Sequence, residues 1–346
     1  MNLLESLGLK KTIGLFGVEI EVEGRSIPRF DSIYWKIEAD NSLRGESAEY
    51  VLKRPMALES VIKGVEEINK QAKEWGTVWN FSFRTSTHVH MNVQSYTHEE
   101  LLTLIYTYYL LENPMINFCG EERKCNRFCL RLEDAEAATG YIRAMFEGTE
   151  KTIAAIPKDM LRYSSLNLEA IMKYGSVEFR GMRGTVDAKE IRTWLSLILA
   201  IRDYAQSKKT PIDVYNDFIK LGSERFARVV FGEFFKEIKY PNLVNDINRS
   251  FSLTIDFPFG FRDKNAKKKE EEKKVEYNEI EIGGAPRDVQ FVIRRDDMLE
   301  ALPRDIQLER AKIHWEAFGQ PGGFIQPYKA PVKRARKLPQ DPQPLE

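Results

Sequence analysis

Cysteine is scarce in this chain. Only Cys119, Cys125 and Cys129 occur among 346 residues, and their spacing differs from the paired motifs of zinc sites. A disulfide-stapled secreted scaffold is therefore excluded, and an odd thiol count leads us to expect a reducing, cytoplasmic setting. Long apolar runs are also missing. The longest, Leu101 to Leu111, is interrupted by Thr and Tyr and falls well short of the ~18 residues of a membrane span. The opening MNLLESLGLKK lacks the basic-then-apolar order of a signal peptide. No excess of one charge is present: 52 basic residues face 52 acidic ones, so overall charge does not indicate nucleic acid as a partner. P-loop, GxGxxG, HExxH and GxSxG patterns are all absent, which argues against the common nucleotide-loop, dinucleotide, zincin and serine-hydrolase designs. What remains is an ordinary globular composition, 42% hydrophobic and 30% charged, able to bury a sizeable core.

Hydrophobic periodicity organises the first 260 residues into an α+β unit. In IGLFGVEIEVE (13–23), Phe16, Val18, Ile20 and Val22 alternate with Glu19, Glu21 and Glu23, the pattern of a strand with one buried face. Residues 58–75 change to helical spacing, with Val61, Val65, Ile68, Ala72 and Trp75 on one stripe. FSFRTSTHVHMNV (81–93) alternates again, and Thr97 to Leu111 reads as a buried helix. YSSLNLEAI and GSVEFRGM read as two more strands, joined near Lys173-Tyr174-Gly175. Asp187 and Glu190 resemble a capping box opening a helix with Ile191, Trp194, Leu195 and Ile198. The architecture expected is an antiparallel sheet with helices on one face and an open cleft on the other. Beyond residue 260 the texture changes. A charged linker or insertion is expected over 261–285, a C-terminal subregion over 286–325, and a Pro-rich basic tail over 326–346.

The chemistry-bearing residues lie on the polar faces of the expected strands. Glu19 and Glu21, two apart, point the same way, and a multivalent cation would relieve their repulsion; taken alone, the pair is more simply a solvated sheet face. His88, His90 and Asn92 share one face of the next strand, as metal ligands or as polar surface. Glu178 and Arg180 share a face in SVEFRG, as an ion pair or as part of a site. The segment 38–56 adds Asp40, Ser42, Glu46 and Glu49. Arg183 and the backbone of RGMRGT lead into the Asp187 helix, either as an anion site or as a tight turn. Oxygen ligands with a histidine suit Mg²⁺ or Mn²⁺, and an arginine suits phosphate.

In order, GVEIEVE, DNSLRG..AEYV..RP, STHVHMNV and RYSSLNL....YGSVEFRGMRGTVD....RTW resemble the amidoligase family of bacteria, fungi and phages, over about residues 13–205. That family belongs to the carboxylate–amine ligases with the glutamine synthetase and glutamate–cysteine ligase fold. The resemblance implies a glutamine synthetase-like sheet and an ATP- and Mg²⁺-dependent amide-forming activity, with Mn²⁺ as a substitute cation. It implies Glu19, Glu21, Glu49, His88, His90 and Glu178 as metal ligands. Arg180 and Glu178 become catalytic candidates, and Arg180, Arg183, Asn92 and Ser42 the nucleotide-binding set. Its partners would be amino-acid or peptide-like carboxylates and amines, and a homo-oligomer is compatible with it. Two other classes fit the same residues: an inactive relative serving as a binding or scaffold protein, and a metal-dependent hydrolase.

Overall fold

The computed structural model describes residues 1–262 and Asn265. Its frame is a seven-stranded antiparallel sheet formed by β1 (Phe16–Arg25), β2 (Trp35–Glu38), β3 (Glu46–Leu52), β4 (Val78–Trp79), β5 (Thr87–Asn92), β6 (Leu166–Asn167) and β7 (Ser176–Phe179). The strands lie in the order β2-β3-β1-β5-β7-β6, and β4 pairs with the far end of β1. Helix and antiparallel strand together make the chain α+β. The alternation seen in the sequence explains why the sheet is two-faced. Phe16, Val18, Ile20 and Val22 of β1 join Ala48 and Tyr50, Val89 and Met91, and Val177 and Phe179 in one core. Every second side chain must then point away from that core.

Helices Leu58–Trp75, His98–Leu110 and Ala188–Gln206 contribute to the same core. From Leu101 onward the His98–Leu110 helix is buried on all sides, which its sequence requires, since past Glu99 and Glu100 it has no charged face to offer water. A further group of helices, Pro211–Leu221, Ser223–Phe231 and Leu243–Thr254, packs through a cluster in which the Phe218 ring lies 4.5 Å from Phe251 and 5.3 Å from Phe226. Thr97 and Glu100 cap the His98 helix reciprocally. Among the described residues no helix is long and apolar enough to cross a membrane.

The structure departs from the sequence expectations in identifiable places. Residues 81–85 are a turn rather than strand, because the Thr85 hydroxyl donates to Ser82 O (2.8 Å) and the Ser82 hydroxyl accepts from Arg84 N–H (3.1 Å). The expected strand YSSLNLEAI keeps only Leu166–Asn167; the Asn167 side chain accepts from Glu169 N–H and starts the helix Ala170–Tyr174. Gly175, at φ +70°, ends that helix, and a Cβ there would meet the Gln94 side chain at 2.4 Å. Trp75 lies in the last helical turn and is 48% exposed, off the buried stripe. Asp187 caps its helix, but Glu190 pairs with Arg183 instead of closing the box. The segments expected over 261–285, 286–325 and 326–346 lie outside the described residues, apart from Phe261, Arg262 and Asn265.

One buried carboxyl makes the fold pH-sensitive. Glu112 accepts from Ser165 Oγ and from Leu132 N–H (3.0 Å), and Tyr108 donates to the same Ser165 hydroxyl (3.0 Å). Burial, only partly offset by these hydrogen bonds, pushes its pKa up to about 8 from the ordinary 4.5. The folded state thus keeps a proton that the unfolded chain would release. This contribution is fully present below pH 4.5 and is lost as pH rises through about 8. Glu112→Gln should remove about one proton equivalent from the slope of unfolding free energy between about pH 5 and pH 8, measured by urea melts. An unchanged slope would show that Glu112 does not hold this proton.

Candidate active site

The pairing register builds the site. It sets Glu19 opposite His88, Glu21 opposite Glu49, His90 opposite Glu178, and Glu178 opposite Asn167. Glu38 of β2 stands opposite Glu49, extending the acidic row. Four polar strand faces therefore meet across the central strands of the sheet. Gly17 lies opposite His90, and a Cβ there would approach the His90 Cβ to 3.3 Å, so the smallest residue sits beside the second imidazole.

Glu19, His88 and Glu178 form the first cluster. His88 Nδ1 lies 3.3 Å from Glu19 Oε2 and 3.6 Å from Glu178 Oε1, and His90 Nε2 lies 3.5 Å from Glu19 Oε1. Asn167 Nδ2 donates to Glu178 Oε2 (2.6 Å), and Arg180 pairs with the other oxygen, Oε1. Burial opposes ionisation of Glu19, but hydrogen bonds and charge from His88 and His90 outweigh it, and its pKa lies far below the carboxylate range. Burial likewise opposes ionisation of Glu178, and Arg180 followed by the imidazoles brings its pKa down. For His90, burial disfavours the cation, yet Glu19 and Glu178 raise its pKa. This cluster is internally compensated.

Glu21, Asp40 and Glu49 form the second cluster, and here the like charges reinforce one another. Burial, then the charges of Glu19, Glu21, Asp40 and Glu38, push the Glu49 pKa up to about 8. Ser86 joins the clusters: its hydroxyl donates to Glu21 Oε2 (2.5 Å) and lies 2.7 Å from His88 Nε2. A hydroxyl has one proton, so with that proton on Glu21 the imidazole must donate from Nε2. Nδ1 faces Glu19 and Glu178: with a proton it donates to these carboxylates, and it is the nitrogen left to ligate where a cation takes that proton's place. In each cluster one ligand atom per residue lies within 4.8 Å of the others. Carboxylate oxygens with a single imidazole nitrogen suit a hard divalent cation, so the donor set fits.

The remaining predicted residues are placed as follows. The Arg180 Nε donates to Phe128 O (3.2 Å), so the guanidinium is held at two edges. Arg183 is engaged elsewhere, with Glu190 and the carbonyls of Phe118 and Cys119, while Asp187 accepts the Lys189 and Glu190 N–H groups at that helix start. Asn92 donates to Gly14 O (3.1 Å) and accepts from Gln94 N–H, tying two chain segments together. Ser42 belongs to the turn that carries Asp40, whose Oδ1 accepts its N–H. Asp40 itself joins the second cluster, a role that its Asp-Asn-Ser turn chemistry conceals. Ser86 and Asn167 carry no motif; only the alternation extending from His88 and Glu178 hints at their position.

The sequence model of one protein family, described as a putative amidoligase enzyme, matches residues 28–202. The matched span contains Asp40, Glu49, His88, Glu178 and Arg180; β1, with Glu19 and Glu21, precedes it. No curated protein matches the chain.

Arg123 is a further residue of the site that the sequence does not announce. It is fully buried and makes no ion pair among the described residues. Its Nε donates to Gly181 O (2.9 Å), Nη2 to Arg180 O (2.9 Å) and Nη1 to Phe83 O (3.4 Å). One guanidinium thus fixes the chain at Arg180 to the 81–85 turn, and only a fork of donors can reach all three carbonyls. Arg123→Met should cost about 3 kcal/mol in urea unfolding, since it leaves buried carbonyls unpaired, and Arg123→Lys should recover only part of that. A methionine variant as stable as the parent would show that these bonds do not hold the loop.

Proposed function

The chain belongs to the amidoligase family, and from that premise we propose that it is an ATP- and Mg²⁺-dependent carboxylate–amine ligase that forms an amide or isopeptide bond through an acyl phosphate. The observation that supports this most directly is the convergence of two cation-capable clusters and Arg180 on one sheet face. Glu19, His88 and Glu178 would hold one cation, and Glu21, Asp40 and Glu49 another, with His90 beside the first. When bound, such cations neutralise triphosphate charge and orient it.

The chemistry needs no protein nucleophile. A carboxylate oxygen of the substrate forms a bond to the γ-phosphorus of ATP as the bond to the ADP oxygen breaks. The amine nitrogen then adds to the acyl carbon, the carbon–oxygen bond to phosphate breaks, and the amine loses its proton to solvent. The products are amide, ADP and phosphate. Arg180 offers the moving phosphoryl group a planar pair of donors, pre-oriented by Glu178 and Phe128 O. Glu178 and Glu19, kept ionised by their neighbours, are available as ligands at neutral pH without first losing a proton. Glu49, by contrast, must give up a proton as a cation binds.

Incubation with ATP, Mg²⁺ and mixtures of amino acids and peptides should yield phosphate and an amide product, both followed by mass spectrometry. In calorimetry, EDTA or Glu178→Ala should abolish nucleotide binding; unchanged affinity in both would remove the cation sites. Arg180→Lys should lower turnover by roughly 100-fold while changing ATP affinity only a few-fold, because the fork acts on charge that develops during transfer. Amide cleavage without ATP would assign a metal-dependent hydrolase to the same face.

A further inference from the structure

The surface bordering the Glu178–Arg180 end of the site has a chemistry of its own. Three cations there each lie over an aromatic ring: Arg127 over Phe128 (4.9 Å to the centroid), Arg162 over Tyr163 (5.7 Å) and Lys173 over Tyr174 (4.6 Å). Phe128 meets Tyr163 edge to face at 6.4 Å, which joins the first two pairs. The Phe128 carbonyl accepts from Arg180, so this double pair adjoins the site. Tyr174 stands edge-on to His90 at 5.3 Å, so the third pair adjoins it as well. All three cations are exposed, and so are Tyr163 (42%), Tyr174 (46%), Met160 (40%) and Met172 (40%). Large apolar side chains gathered in water beside a site mark a contact surface.

The charge of this surface is nearly unopposed. Among the described residues Arg127 and Lys173 make no ion pair, and Arg162 meets only the exposed Asp159 at 3.5 Å. Glu169, in the same stretch of chain, accepts the backbone N–H groups of Asp159, Leu161 and Arg162. The β2–β3 end of the same strand face is opposite in sign, with Glu38, Glu49, Glu21 and Asp40. The strand face is therefore polarised from acidic to basic.

Building on the ligase reading, we propose that the rim formed by Arg127, Arg162 and Lys173 docks the carboxylate-bearing substrate, and that this substrate is a carboxylate-rich peptide segment. A free amino acid would need one cation for its carboxylate; three, each stiffened against a ring, suit several acidic side chains in succession. The rings give peptide planes a rigid surface at small entropic cost. The acidic end of the face repels the same peptide, which fixes the direction in which it lies.

Binding can be read without ATP, so it stands or falls separately from the ligase chemistry. Fluorescence anisotropy at low salt would compare labelled heptaglutamate with labelled heptaglutamine on the full chain. The glutamate peptide should bind and the glutamine peptide should not. The triple variant Arg127→Ala, Arg162→Ala, Lys173→Ala, all exposed positions, should weaken heptaglutamate at least ~10-fold. Its Mg²⁺-dependent ATP binding should match the parent, since none of the three side chains touches either cluster. Absence of binding, equal binding of the two peptides, or an unaffected triple variant would overturn the proposal. Displacement of heptaglutamate by a single-stranded heptanucleotide at equal or lower concentration would overturn it too, in favour of nucleic acid.

Discussion

The register between β1 and β5 is the constraint on which the rest of the site depends. A slip of one residue would turn Glu19 into the core and Val18 into the cleft, because side chains alternate with a period of two. The slip is prevented by the buried row Phe16, Val18, Ile20 and Val22, each almost wholly removed from water. Apolar burial on one face thus fixes the spacing of charge on the other, and the second cluster inherits its geometry from the β1–β3 pairing. The core is what holds like charges together.

The two clusters resolve their electrostatics differently. Around Glu19 and Glu178 the imidazoles and Arg180 balance the carboxylates, so both stay ionised despite burial. Around Glu49 burial and the charges of the neighbouring carboxylates act in the same direction, and the repulsion is relieved by retaining a proton. The first cluster is preformed as an ionic network. In the second, proton and cation compete for the same oxygens.

The sheet and most of the site were legible because alternation is a strong signal. Glu19, Glu21, Glu49, His88, His90 and Glu178 all lie where a two-residue period puts them. The misreadings come from local hydrogen bonds that periodicity does not register. Ser82 and Thr85 bend the start of the expected β5 strand, and the Asn167 side chain turns a strand into a helix after one pair of residues. Arg183 looked available to an anion, yet Glu190 one helical turn past the Asp187 cap takes it. Arg123 was invisible for another reason. Its partners are backbone carbonyls more than 39 positions away in sequence, and carbonyls carry no residue identity.

The Ser86 hydroxyl between Glu21 and His88 carries a consequence for how the two halves of the face behave. It has one proton and two neighbours, so its direction sets whether the imidazole Nε2 bears hydrogen. Reorienting Glu21 would release that hydroxyl to turn toward His88, and Nε2 would have to give up its hydrogen and accept instead. The state of one half is thereby written into the other through the hydrogen on that one nitrogen. Neither half can be rearranged as an independent unit, and the bond that links them is a single rotatable torsion.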